Sequence, residues 1–236
     1  MNAMAVEIES KGMTHVKGIL QVDDLLVLRD ELVSLIEGFN QLPDDLITKS
    51  DGNASGEIRE IANLAKKFEQ FRESSVYKDC HALASEIFST RARYGHDEAI
   101  FKSPGSKPVD WHQDQTYSKY DKDKQCVSIW IPLQNTDPDN GGMEYVTDRD
   151  SGLLPHEKSA PDSFMYRLSE EYLKDACTES PVMELGDVCI HSPLCIHRSH
   201  PNRSQDMRMA WILQFNKYGV GRFLRWNNLK QYMPRF

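Results

Sequence analysis

From about residue 97 the chain is cut into short apolar runs separated by clusters of turn-forming residues. The runs "CVSIWIPL", "GMEYV", "GDVCIHSPLCIH" and "MAWILQF" are too short for core helices. They are rich in the β-branched and aromatic residues that fit a pleated surface. The clusters "SPGSKP", "TDPDNGG" and "SHPNRS" supply the Gly, Pro, Asn and Asp that tight turns need. Short strands at this spacing close into a β-sandwich or barrel. That is the tightest constraint on the fold.

The first third has a helical texture. "DDLLVLRDELVSLIEGF" sets Leu25, Leu28, Leu32 and Leu35 on one face, with Asp23 or Asp24 as a start cap and Gly38 as the end. "SGEIREIANLAKKFEQF" predicts a second helix through Ile58, Ile61, Leu64 and Phe68. "VYKDCHALASEIF" predicts a third through Val76, Cys80, Leu83 and Ile87. The stretch "NQLPDDLITKSDGNASG" between the first two predicts a loop. The expected organisation is one domain over 1–236. A helical part covers about 1–95, a β core about 96–218 and a tail 219–236, with the helices packed outside the sheets.

Bulk properties narrow the function. With 39% hydrophobic residues in 236, the chain can bury a sizeable core. It has no run of about 18 apolar residues, so no membrane span is expected. The opening "MNAMAVEIES" lacks the basic and apolar pattern of a secretory signal. A formal charge of −8 argues against nucleic-acid binding, and Arg222, Arg225 and Lys230 form a solvated tail. The five cysteines, Cys80, Cys126, Cys177, Cys189 and Cys195, include no C-x-x-C pair. They are expected to be reduced thiols of a cytoplasmic protein, with Cys189 and Cys195 buried on strands. Oligomeric state is unconstrained.

The chemistry begins at "DWHQDQTY", residues 110 to 117. If this stretch is extended, His112 and Asp114 point to one face. Alone, such a pair is a weak metal signal. Downstream, His197 can supply a third ligand, with His191 and His200 as competitors. His191 shares the face of His197 only if the strand is unbroken, which Pro193 opposes. Two histidines and a carboxylate form the facial triad of non-haem Fe(II) oxygenases, with three positions open. A 2-oxo acid fills two of these and dioxygen the third. Arg208 follows His197 by eleven residues, and a turn at "SHPNRSQD" would return its strand beside the first. A guanidinium grips a distal carboxylate through two parallel hydrogen bonds. Ser199 shares the face of His197 and can add a hydroxyl. His156 is expected at the surface, with the rim of the substrate mouth as the alternative.

These pieces occur in an order that resembles the phytanoyl-CoA dioxygenase family of Fe(II)/2-oxoglutarate-dependent oxygenases. The chain has His112, Gln113, Asp114 and Tyr117, then Trp130 eighteen residues after the first histidine. An Asn140-Gly141 turn leads to Met143. Gly186, Asp187, His191, Pro193, Leu194, His197, Ser199, Asn202, Ser204 and Arg208 complete the pattern. The opening "GMTHVKGILQVDDLLVLRDEL" is also similar, so the resemblance runs over about residues 7 to 218. One departure is Thr147, Asp148 and Arg149, where members often carry G-S-H.

The resemblance implies a mainly β fold with flanking α-helices, a double-stranded β-helix or cupin-like jelly roll. It implies Fe(II) on His112, Asp114 and His197, and 2-oxoglutarate on Arg208 and Ser199 with Trp130, Lys102 and Tyr117 nearby. Dioxygen would decarboxylate the cosubstrate to succinate and hydroxylate an unactivated C–H bond of a small molecule, with ascorbate as an assay additive. Asp114 favours hydroxylation over halogenation, which needs a small residue there. The competing readings are a non-catalytic metal-binding sensor and a metal-dependent hydrolase or isomerase using the same ligands. No acyl-CoA signature and no particular substrate can be read.

Overall fold

The structure, a computed structural model, describes residues 2–48, 57–118, 125–148 and 152–217. Part of the expected loop before residue 57, Arg149, and the tail with Arg222, Arg225 and Lys230 lie outside the described residues. In chain order come α1 (Ala3–Lys11), β1 (Met13–Val16), α2 (Val22–Glu37), β2 (Ile58–Ala62), α3 (Leu64–Lys67), α4 (Glu69–Arg72) and α5 (Ser75–Phe88). Then follow β3 (Ala92–Lys102), β4 (Val109–His112), β5 (Cys126–Pro132), β6 (Met143–Val146), β7 (His156–Lys158) and β8 (Tyr166–Leu168). The chain continues through β9 (Thr178–Glu179), β10 (Val188–His191), β11 (His197–Ser199) and β12 (Arg208–Lys217).

All strand pairs are antiparallel. A six-stranded sheet runs β1-β10-β5-β12-β3-β2, and a four-stranded sheet runs β4-β11-β6-β9. The two sheets enclose the expected double-stranded β-helix. Alternation assigns the faces. On β12, Trp211, Leu213 and Phe215 join the core beneath the helices, with Leu25, Leu28, Leu32 and Ile36 of α2. Each such leucine contributes about 1.5–3 kcal/mol by leaving water. The opposite face of β12 carries Arg208, Ala210 and Ile212 into the barrel. There Trp130, Tyr145, Cys189, Cys195 and Met183 fill the closed end. Among the described residues no helix is long and apolar enough to cross a membrane.

Helix boundaries follow capping chemistry. The Asn2 side chain accepts from Met4 N at 2.8 Å and starts α1, and Gly12 ends it at φ 80°. Gly12 also lies against Cys195, whose Sγ would stand 3.0 Å from an added Cβ. The Ser74 hydroxyl caps α5 through Tyr77 N.

Four sequence expectations are corrected. The predicted helix through Ile58, Ile61, Leu64 and Phe68 is β2 followed by two short helices. Pairing with β3 outweighs the helical spacing, and Asn63, at φ 63°, breaks the segment. Strands β1, β2 and the start of β3 therefore lie inside the part expected to be helical. Gln21, without a side-chain cap bond, precedes α2, while Asp23 and Asp24 sit in its first turn. The turn after His197 does not return its strand beside the first. It carries the chain from the four-stranded sheet to the six-stranded one, where β12 lies between β5 and β3.

Candidate metal and cosubstrate site

The site is built where the two sheets face each other. β4 ends at His112, Gln113 stays extended (φ −122°, ψ 129°), and Asp114 opens a short 3-10 helix. Because Gln113 is extended, His112 and Asp114 aim to one side although the strand has ended. β11 runs antiparallel to β4 with His197 directly opposite His112, and their ring centroids are 4.3 Å apart. Asp114 Oδ1 lies 3.8 Å from His112 Nε2 and 3.5 Å from His197 Nε2. One donor atom from each of the three falls within 4.8 Å of the others.

The tautomers are fixed from behind. His112 Nδ1 donates to the Asp110 carbonyl at 2.7 Å, and His197 Nδ1 donates to the Cys195 carbonyl at 2.9 Å. A carbonyl only accepts, so Nδ1 carries the proton and each Nε2 lone pair faces the gap. Burial, with His112 and His191 close by, holds His197 well below the ordinary histidine range. Burial alone would raise Asp114. The charges and hydrogen bonds of His197, His191 and His112 outweigh that and hold it far below the usual carboxylate range. The donor set is two imidazoles and one carboxylate, which suits a divalent transition metal.

Asp114 is oriented by two further groups. Ser128 Oγ donates to its Oδ2 at 3.0 Å, and His191 Nε2 stands 3.4 Å from the same oxygen. His191 is buried on β10, which ends there before Pro193. It is thus a neighbour of Asp114 and not a member of the compact donor set. His200 bonds Ser180 and stands 3.4 Å from Glu144 Oε2, away from that set.

Across the cavity, β12 and β3 place Arg208 opposite Lys102. Both are buried, and Arg208 Nε and Nη1 have no hydrogen-bond partner. Burial brings Arg208 down to about 9. Burial and then the Arg208 charge bring Lys102 down to about 6. Lys102 Nζ donates to Ser199 Oγ at 3.1 Å and to the His200 carbonyl at 2.6 Å. The Trp130 ring lies 5.6 Å from the guanidinium carbon. Asn202 donates to the carbonyls of Lys102 and Asp206, tying the β11–β12 turn to this end of the barrel. Two orphaned guanidinium nitrogens beside the buried Lys102 amine suit a ligand carboxylate.

Of the eight residues picked from sequence, His112, Asp114, His197 and Tyr117 form one group, and Arg208, Lys102, Ser199 and Trp130 form another. Tyr117 turns its ring edge-on to His112 at 6.1 Å, but its hydroxyl accepts from Tyr166 N. His156, expected at the surface, is half-buried and accepts from Gln113 N at 3.1 Å. Gln113 was missed as a structural tie. Its amide donates to the Gly152 and Leu194 carbonyls and accepts from Leu154 N. Ser128 was missed too, and its signal was a hydroxyl sharing the parity of Trp130 within an apolar strand.

The comparisons agree with this geometry. A family model described as phytanoyl-CoA dioxygenase (PhyH) matches residues 8–210. A probable alpha-ketoglutarate-dependent hypophosphite dioxygenase of Stutzerimonas stutzeri is 22% identical over 214 residues, covering 87% of this chain and 74% of the relative. The peroxisomal phytanoyl-CoA dioxygenase of Bos taurus is 25% identical over 223 residues, covering 88% and 66%. The chain thus spans about two-thirds of the bovine relative's length. In fold, the non-haem alpha ketoglutarate dependent epimerase SnoN from nogalamycin biosynthesis superposes with a TM-score of 0.71 at 17% identity, covering 94% of this chain and 91% of that one. EvdO2 from Micromonospora carbonacea var. aurantiaca, complexed with 2-oxoglutarate, gives 0.72 at 17% identity, covering 96% of each chain.

Proposed function

Since the chain belongs to the phytanoyl-CoA dioxygenase family and is an Fe(II)/2-oxoglutarate-dependent dioxygenase, we propose that it hydroxylates an unactivated C–H bond of a small molecule. His112, Asp114 and His197 would hold Fe(II). Arg208, with Lys102 and Ser199, would receive the far carboxylate of 2-oxoglutarate, while Trp130 walls the guanidinium. When bound, iron and cosubstrate supply the oxidative chemistry: dioxygen is consumed, 2-oxoglutarate becomes succinate and carbon dioxide, and one oxygen atom goes to the substrate carbon. The residues themselves do quieter work. The two Nδ1–H bonds fix the imidazoles, and Ser128 and His191 fix the Asp114 carboxylate. The buried Trp130 and Tyr145, with the half-buried Tyr117, keep bulk water away.

The observation that carries this reading is Arg208. A buried guanidinium with two unpartnered nitrogens is explained by a cosubstrate carboxylate. A metal-dependent hydrolase, an isomerase or a passive metal sensor using the same three ligands gives it no task. The test is succinate release from Fe(II), ascorbate and 2-oxoglutarate, screened against small metabolites and hypophosphite. Protein that binds no 2-oxoglutarate anaerobically would end the enzyme reading. A chlorinated product formed in chloride would overturn hydroxylation. We also propose one domain over 1–236 acting in the cytoplasm, in keeping with five free cysteines, one of them, Cys177, exposed.

A further inference from the structure

One carboxylate inside the barrel has no task in the chemistry above. Alternation along β3 puts Glu98 on the same face as Lys102, roughly 13 Å along the strand. The register sets it opposite Ile212, which is itself opposite Trp130. Lys102 and Arg208 lie on one side of that row. Gln214 and Ser128 lie on the other, and Ser128 holds Asp114. Glu98 therefore sits between the cosubstrate anchor and the metal ligands. It is half-buried.

Among the described residues no cation pairs with Glu98. Glu98 bonds the Thr48 hydroxyl. Burial and then, among the described residues, the carboxylates of Asp97 and Asp114 push it up to about 7. A second acid, Glu60, faces Ile100 from β2, so alternation gives it the same inner face. Its charge reaches Tyr117, whose ring stands edge-on to His112 at 6.1 Å and to Tyr166 at 5.8 Å. Enclosed carboxylates beside aromatic faces recognise cations.

We propose that Glu98 is a specificity-determining residue that receives a positively charged group of the substrate, an amine or guanidinium, so that this dioxygenase acts on small organic cations. The inference rests on the dioxygenase reading and deepens it. Among the described residues, the charges that act on Glu98 are those of Asp97 and Asp114, and both are negative. An anionic substrate meets repulsion there, and an ammonium group relieves it.

The test uses Co(II)-loaded protein under anaerobic conditions. Calorimetry first scores 2-oxoglutarate binding, then titrates hexylammonium and hexanoate into the loaded protein. The expected result is a preference of roughly tenfold or more for hexylammonium, the scale of one charge-assisted contact. Glu98→Gln, which keeps shape and the Thr48 bond, removes the preference, and Glu98→Asp keeps it. Equal, reversed or undetectable binding of both probes overturns the inference, as does an unchanged preference in Glu98→Gln. Failure at the first step, with no 2-oxoglutarate bound, instead refutes the dioxygenase reading.

Discussion

Replacing Arg208 by Met should make the empty protein more stable while destroying cosubstrate binding. In the native chain two guanidinium nitrogens are buried without partners, and each such donor costs about 1–3 kcal/mol. Methionine has similar length and no donors to leave unsatisfied. Against the gain stand the lost contact with Trp130, about 1–2 kcal/mol, and imperfect packing, up to about 1.5 kcal/mol. Taking the middle of each range, the empty variant should gain about 2 kcal/mol. For a chain of this size that is a rise in Tm of roughly 4–8 °C. The same change removes two charge-assisted bonds to a carboxylate, about 3–6 kcal/mol, so 2-oxoglutarate affinity should fall roughly 10²- to 10⁴-fold. Differential scanning calorimetry on metal-free protein and anaerobic titration with 2-oxoglutarate measure the two halves. A lower Tm would refute the claim that the guanidinium is frustrated when the cavity is empty. Unchanged affinity would refute its role as anchor.

Three further outcomes follow from the same geometry. Alanine at His112, Asp114 or His197 should abolish metal binding and turnover, whereas Ser128→Ala, which only frees one side of Asp114, should cost about 10- to 100-fold in metal affinity; equal losses would contradict the distinction. Lys102 has its folded value lowered to about 6, so between about pH 6 and pH 10.5 the unfolded chain holds more protons at this site. Its contribution makes the empty protein more stable as pH rises through that window, and Lys102→Met should remove that slope in denaturant titrations; an unchanged slope would be evidence against it. Gln113→Leu loses three hydrogen bonds to Gly152, Leu194 and Leu154. Limited proteolysis should then cut faster between residues 150 and 170, and a protected variant would show that the tie is redundant.

Much of the site could be read from sequence because it depends on short-range parity. His112 and Asp114 are two apart and so are His197 and Ser199, and each pair faces the cavity in the structure. The role proposed for Arg208 rests on guanidinium chemistry, although the turn before it crosses between sheets. What escaped was set by distant partners. Ile58, Ile61 and Leu64 have helical spacing, yet β2 forms because β3 offers a ladder some forty residues away. His156 looked like a surface residue because its partner, Gln113 N, lies 43 positions upstream. Glu98 shares the parity of Lys102, but only the pairing with β12 puts that face inside the barrel.

The most direct test measures 2-oxoglutarate binding to one anaerobic preparation with and without Fe(II), counting both ligands. Convergence of His112, Asp114 and His197 on one iron, with Arg208 beyond it, predicts one equivalent of each and much tighter binding of the oxo acid when iron is present. Equal affinity without iron, or iron binding that survives loss of all three ligands, would contradict it.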